Sequence, residues 1–220
     1  MLALPLLVEA ENPALGSSPV PAASPKAADV IFVHGARQMA TAFSDLHDPS
    51  RAKLERFIQT IFKRAYGAEI KHFMPRLMSL TDQENSLLAV CGLRQANQGS
   101  LFLEHYMDKP VESMLADRIG TSIQREEIVE VGNLAVAEPG LARQLLAGVI
   151  DHLHGTPAQW AVFTAIPSLR NSLAKLNVQL EVLCEARLDR LPEHERAGWG
   201  SYYDQNPQVM AVRRMPQFSH

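Results

Sequence analysis

The sequence predicts an α/β (α+β) fold with a mixed, mostly antiparallel central sheet and helices on both faces. Two strand-like runs, 69–80 and 86–93, are separated only by the polar loop TDQEN at 81–85, which is hairpin spacing. Further on, strand-like runs at 127–136, 160–166 and 178–184 alternate with helix-period segments, which is crossover spacing. Hairpins make antiparallel neighbours and crossovers make parallel ones, so one sheet holding both is mixed.

Residues 1–28 are rich in Pro, Ala and Ser and read as a flexible N-terminal tail. Residues 29–220 read as a single domain. It opens with a strand at 30–33, followed by an irregular stretch to Pro49. Leu54, Phe57, Ile58, Ile61, Phe62 and Ala65 recur at three- and four-residue spacing, predicting a helix over 50–66 closed by Gly67. Pro75 marks the run 69–80 as an edge strand or a bulge. A short strand is expected at 101–106 and a helix at 110–119. Leu141, Leu145, Val149 and Leu153 form one stripe of a helix over 139–153. A helix at 168–176, strands at 178–184 and 209–212, and a polar stretch at 189–206 complete the chain.

A chain of 220 residues with 46% apolar content suits one domain with a full core. The net charge of −3 gives no global attraction to nucleic acid or anionic lipid. No run approaches the roughly 20 apolar residues of a membrane span. The first residues lack the basic start of a signal peptide, and Pro5 interrupts them. The expected compartment is therefore the cytoplasm, and Cys91 and Cys184, each inside an apolar run, read as buried thiols there. The segment 50–66 carries Arg51, Lys53, Arg56, Lys63 and Arg64 and has an interfacial-helix pattern. Its apolar face reads as core, and no membrane contact is expected. His152 and His154 lie two apart on a helix and face different ways, so no metal site is read there. No nucleophile elbow, P-loop or complete dinucleotide fingerprint occurs.

Several side chains are candidates for chemistry. Glu130 falls mid-strand, where an acid is costly unless partnered or functional. It is read as a general base, or else as a structural carboxylate paired with an arginine such as Arg94. Strand alternation puts Glu130, Gly132 and Leu134 on one face and Val131, Asn133 and Ala135 on the other. Gly132 permits close approach of a ligand. Glu104 or His105, with a pKa moved toward neutrality, can deprotonate an amine. As strand neighbours they face opposite ways, so one of them faces a site; a helix-entry or surface pair is the alternative. Arg94 can clamp a carboxylate or phosphate, or pair with Glu130 or Glu104. Asn133 can bond a substrate amide or cap backbone. Trp199, Tyr202 and Tyr203 supply a tyrosine general acid or an aromatic lid. Free amides and the helix dipole at Gly140–Arg143 favour an anion.

The strings LFLEHYMDKPVE (101–112), EIVEVGNLA (127–135), WAVFTA (160–165) and WGSYYDQNPQV (199–209), with Gly-Leu-Arg at 92–94, resemble the thermostable hemolysin family. The order of elements is similar to the GNAT acyltransferase superfamily and, more distantly, to acyl-homoserine-lactone synthases. The resemblance implies that Val131, Gly132, Asn133, Leu134 and Ala135 carry a pantetheine arm. It implies that Gly140, Leu141, Ala142 and Arg143 meet a pyrophosphate. The phosphate turn departs from the superfamily pattern: Ala137 replaces a polar residue, Glu138 repels phosphate and Pro139 lacks an N–H. The helix PSLRNSLAKL lacks the superfamily's tyrosine, so the superfamily's mechanism does not carry over directly, and Tyr202 in WGSYYDQNP is the residue read as a proton donor.

The implied reaction moves an acyl group from acyl-CoA or an acyl-carrier protein to a small-molecule amine acceptor, with no tightly bound cofactor. The family name implies an alternative, a membrane-active hemolysin. A third reading is a non-catalytic member that only binds a thioester or carrier. No oligomeric state is read from the sequence.

Overall fold

Leu54, Ile58 and Phe62 recur every four residues and are buried, so the chain from Arg51 to Tyr66 forms a helix (α1) with one face in the core. Gly67 ends it in the left-handed region (φ 69°), returning its N–H to the Lys63 carbonyl at 2.9 Å. Lys63 and Arg64 in the last turn suit the negative end of the helix dipole. The basic segment with the interfacial pattern thus packs its apolar face against the sheet. These observations come from a computed structural model, which describes residues 31–34, 37–138, 140–175 and 178–214. The expected tail at 1–28 and the effect of Pro139 lie outside the described residues.

Eight strands form one sheet: β1 (Ile31–His34), β2 (Arg37–Ser44), β3 (Arg76–Thr81), β4 (Leu87–Gln95), β5 (Ile128–Val136), β6 (Trp160–Ala165), β7 (Leu180–Glu185) and β8 (Gln208–Arg213). Their spatial order is β1-β2-β3-β4-β5-β6-β8-β7. Every neighbouring pair is antiparallel except β5 and β6, which are parallel. The remaining helices are α2 (Val111–Ile119), α3 (Leu141–His154), α4 (Pro167–Ala174) and the short α5 (Glu193–Arg196). Helix α1 packs on one face with Leu77, Val90 and Ala135. The helix α2 and the segment 101–107 cover the same face further along, over Ile128, Val162 and Val209. Helices α3 and α4 cover the opposite face through Leu141, Leu145, Val149 and Leu173. The expected mixed sheet with helices on both faces is the one observed.

The 81–85 hairpin is built by Asp82, whose Oδ1 accepts the N–H groups of Glu84 and Ser86 at 3.0 and 2.8 Å. Three local expectations are corrected. The stretch after the first strand is not irregular to Pro49: 37–44 is β2, with Met39, Thr41 and Ser44 buried. Its Gln, Ala and Ser have weak strand propensity, and pairing to β3 decides the conformation. The run 69–80 is not one edge strand. Pro75 ends an unpaired segment, and β3 begins at Arg76 in the sheet interior. The segment 102–106 is a 3₁₀ helix (Phe102–Tyr106), not a strand. Among the described residues no helix is long and apolar enough to cross a membrane.

Candidate active site

β5 and β6 run together only from Ile128 to Val131 opposite Trp160 to Phe163. Beyond that point β5 stays paired to β4, and β6 stays paired to β8. The two central strands therefore part, and among the described residues no ladder joins 132–136 to β6. A β-bulge accompanies the parting. Gly92 pairs Gly132 while Val90 pairs Ala135, so β5 carries one extra residue, and Asn133 takes φ 50°. A bulge sharpens local twist and bends the strand away.

The bulge also corrects the alternation expected for β5. Leu134 packs in the same core as Val129 and Val131, and Ala135 packs against α1. The Asn133 side chain reaches the face of Gly132, where Oδ1 accepts the Met74 N–H at 2.9 Å and Nδ2 donates to the His72 carbonyl at 3.2 Å. The Asn133 side chain thus binds backbone on both its amide atoms. Gly132 gives room to Met74: a Cβ there would stand 2.5 Å from Met74 Cε.

A cleft of about 1630 Å³ runs through the parting. Glu130, Arg94, His105, Trp199 and Tyr202 line one side, and Gly140, Leu141, Ala142, Arg143 and Phe163 line the other. Val131, Gly132, Asn133 and Leu134 lie on its wall. Ala135 is fully buried behind it, and Tyr203 backs Tyr106.

Glu130 lies one residue before the parting and is only 3% exposed. Its oxygens accept the N–H groups of Phe102 and Leu103, both at 2.9 Å. Arg94 is its cross-strand neighbour. Among the described residues, however, no carboxylate lies within 4.0 Å of the Arg94 guanidinium, whose Nη1 donates instead to the Ser100 carbonyl at 3.0 Å. Burial pushes the Glu130 carboxyl up to about 7, against the pull of the two amides and the Arg94 charge. Glu130 and Arg94 thus form no ion pair with each other, and Glu130 lines the cleft.

Glu104 is held differently. Its Oε2 accepts the Leu101 N–H at 2.8 Å, and its Oε1 accepts the Val111 N–H at 3.0 Å and Arg125 Nη1 at 2.7 Å. Burial opposes ionisation, but the Arg125 bond and the two amides outweigh it and hold the carboxyl below its ordinary range. Neither Glu104 nor His105 sits on a strand, so their expected opposition across a sheet does not apply. His105 packs edge-on to Phe102 at 5.5 Å between ring centres.

Trp199 lies among Phe102, Tyr202 and Tyr203 at 5.5 to 5.7 Å. The Tyr202 ring meets Tyr66 edge-on at 5.2 Å, and burial, then Tyr66 and Tyr203, raise its pKa so that the phenol keeps its proton. Sequence reasoning missed Tyr106, which lines the cleft and shares a 2.5 Å hydrogen bond with Tyr203. Its four-residue spacing from Phe102 is the signal that was available. Arg125 was also missed, because nothing local ties it to Glu104.

At the start of α3, Gly140 takes φ 95°. The Leu141 N–H points to the Glu138 carbonyl at 3.5 Å, and the Arg143 N–H to the Gly140 carbonyl at 3.3 Å. The anion-receptive part of this turn is therefore smaller than an open helix start provides.

A mixed sheet with hairpins before and crossovers after, whose parallel central pair parts, is a GNAT-like fold. Residues 44–217 match the family model described as Thermostable hemolysin, and the chain belongs to that family. Among solved structures it is similar to the acyl-homoserine-lactone synthase LasI, with 8% identity and a TM-score of 0.55 over 80% of this chain and 90% of that one. It is similar to FeeM, an N-acyl amino acid synthase from uncultured soil microbes, with 15% identity and a TM-score of 0.53 over 80% and 90%. It is also similar to MesI, a CoA-dependent acyl-homoserine lactone synthase, with 16% identity and a TM-score of 0.51 over 80% and 90%. Identities this low show a shared fold alone. No curated protein sequence matches the chain.

Proposed function

We propose that this protein is an N-acyltransferase that moves an acyl group from a thioester donor, an acyl-CoA or an acyl-carrier protein, to the amine of a small molecule. The observation that carries the reading is the parting of β5 and β6 beside a buried carboxyl with a pKa pushed up to about 7. A thioester entering the slot has β5 backbone between 132 and 136 to bond. The α3 side of the cleft, with Gly140, Leu141, Ala142 and Arg143, is the donor's approach. The names of the similar structures, acyl-homoserine-lactone synthase and N-acyl amino acid synthase, point the same way.

In this reading the neutral amine attacks the thioester carbonyl and a C–N bond forms. Glu130 takes the proton that the nitrogen loses. The tetrahedral adduct then collapses, the C–S bond breaks, and the thiolate leaves with the electron pair. It takes a proton from Tyr202, and the proton on Glu130 then returns to the phenolate through solvent, which resets both groups. Glu104 serves as scaffold rather than base, since its oxygens are held by Arg125 and two amides.

The test is thiol release from acyl-CoA and acyl-carrier donors of several chain lengths against a panel of primary amines. Amine-dependent release that falls at least a hundredfold in Glu130→Gln supports the reading. Full activity in that variant removes Glu130 from the mechanism, and no release with any donor removes the reaction. Direct lysis through α1 would require exposing Leu54, Ile58 and Phe62, all buried. Dye release from liposomes by the purified protein tests that alternative.

A further inference from the structure

The geometry points to an α-amino acid as the acceptor, its carboxylate held by Arg94 and its amine presented to Glu130. This inference rests on the acyl-transfer reading and names the substrate class at the same site. Arg94 and Glu130 are directly opposed in the β4–β5 register and therefore project from the same face of the sheet. Both line the cleft. Yet among the described residues the Arg94 guanidinium has no carboxylate within 4.0 Å, and Glu130 turns to the amides of Phe102 and Leu103. Opposite charges on neighbouring positions in a half-closed site, left apart, form a receptor for a ligand that carries both.

The chemistry narrows that ligand. Arg94 gives one of its five N–H donors to the Ser100 carbonyl and is half-buried, so its remaining fork can take a carboxylate. A phosphate at this position would face the Glu130 carboxyl and be repelled. A zwitterion instead satisfies both groups and enters the cleft with no net charge. Its ammonium docks at the Glu130 carboxyl; the first proton passes to solvent, leaving the neutral amine, and Glu130 takes the second as the C–N bond forms. The wall around the pair is aromatic, formed by Phe102, Tyr106, Trp199 and Tyr202. That surface suits an apolar or aromatic side chain.

The test compares acceptors that differ only in the carboxylate: phenylalanine against phenethylamine, and leucine against isoamylamine. Thiol release is measured with one acyl donor, and binding of the same four compounds to the full chain is measured by calorimetry. A charge-assisted bidentate bond predicts KM values about tenfold to a hundredfold lower for the amino acids. Arg94→Gln raises KM for the amino acids and narrows the gap within each pair, and Arg94→Lys restores part of it. The wild-type comparison needs no variant and stands if either one misfolds. Equal KM values within each pair, with thiol release intact, overturn the amino-acid assignment and leave acyl transfer standing. If no acceptor gives release, acyl transfer falls, and calorimetry judges the site alone. Preference for the amino acids then supports it, and equal affinities overturn it.

Discussion

Asn133 anchors Met74 across the mouth of the cleft: its Oδ1 accepts the Met74 N–H at 2.9 Å while its backbone sits at φ 50°. Asparagine tolerates that conformation better than most residues because of its short polar side chain. Asn133→Ala therefore loses two hydrogen bonds and adds backbone strain, and is expected to cost about 2 kcal/mol. Asn133→Gly loses the same bonds but keeps the backbone relaxed, so it should cost less than the alanine variant. Denaturant titration of both separates the two contributions, and equal losses would show that the bulge carries no strain.

Two glycines face Met74, and they are not equivalent. A Cβ at Gly132 meets the far end of the side chain, Cε, at 2.5 Å, whereas one at Gly92 meets Met74 Cβ at 2.5 Å and Cγ at 2.6 Å. A flexible tip can swing aside and a Cβ cannot. Gly132→Ala is expected to cost about 1 kcal/mol or less, and Gly92→Ala about 2–3 kcal/mol. Adding Met74→Ala should relieve the first clash and leave the second, so a double-mutant cycle should find coupling between 132 and 74 that exceeds that between 92 and 74.

The sequence carried the fold wherever one periodicity ruled. The α1 stripe at Leu54, Ile58 and Phe62 and the strand 128–136 were both legible, because burial there follows the local repeat. β2 was not, since Gln38, Ala40 and Ala42 become a strand only by pairing with β3. The face assignments on β5 failed at Asn133 for a related reason: one extra residue reverses every later side chain, and its sign is a positive φ that asparagine permits but does not announce. In the site, Glu130 was legible as a mid-strand acid. Its partners were not, because the amides of Phe102 and Leu103 arrive from 28 and 27 residues away on a turn that reads equally well as a strand.

The Glu130 carboxyl fixes a pH dependence of stability. Its folded pKa is about 7 against an ordinary 4.5, so between these values the folded state binds the proton more tightly than the unfolded chain does. The contribution is present below about pH 4.5 and is lost as pH rises through about 7, on the order of 3 kcal/mol in all. Glu130→Gln removes the titration, so the variant's stability should change less than wild type between pH 5 and pH 8. Unfolding free energies at intervals across that range check this. Parallel profiles would mean that the carboxyl titrates near its ordinary value, and a general base near neutrality would lose its footing.

Arg125 holds the turn that presents amides to Glu130. Its Nη1 donates to Glu104 Oε1 at 2.7 Å and to Glu112 Oε2 at 2.6 Å, while Nε reaches the Ala96 carbonyl and Nη2 the Gly99 carbonyl, both at 2.9 Å. Arg125→Gln leaves two half-buried carboxylates facing each other, and partial exposure reduces the cost to about 2 kcal/mol at neutral pH. Glu104 has a lowered folded pKa, so its stabilisation is present above its unfolded value near 4.5 and is lost as pH falls through the folded one. The gap between wild type and Arg125→Gln should accordingly shrink only below about pH 4.5, and denaturant titrations at pH 7 and at successive steps below pH 4.5 measure it. A loosened turn should also weaken the amide bonds to Glu130 and move its titration further up. Infrared difference spectra of the carboxyl band report that directly, and an unmoved Glu130 band would show that the 102–106 turn keeps its place without the guanidinium.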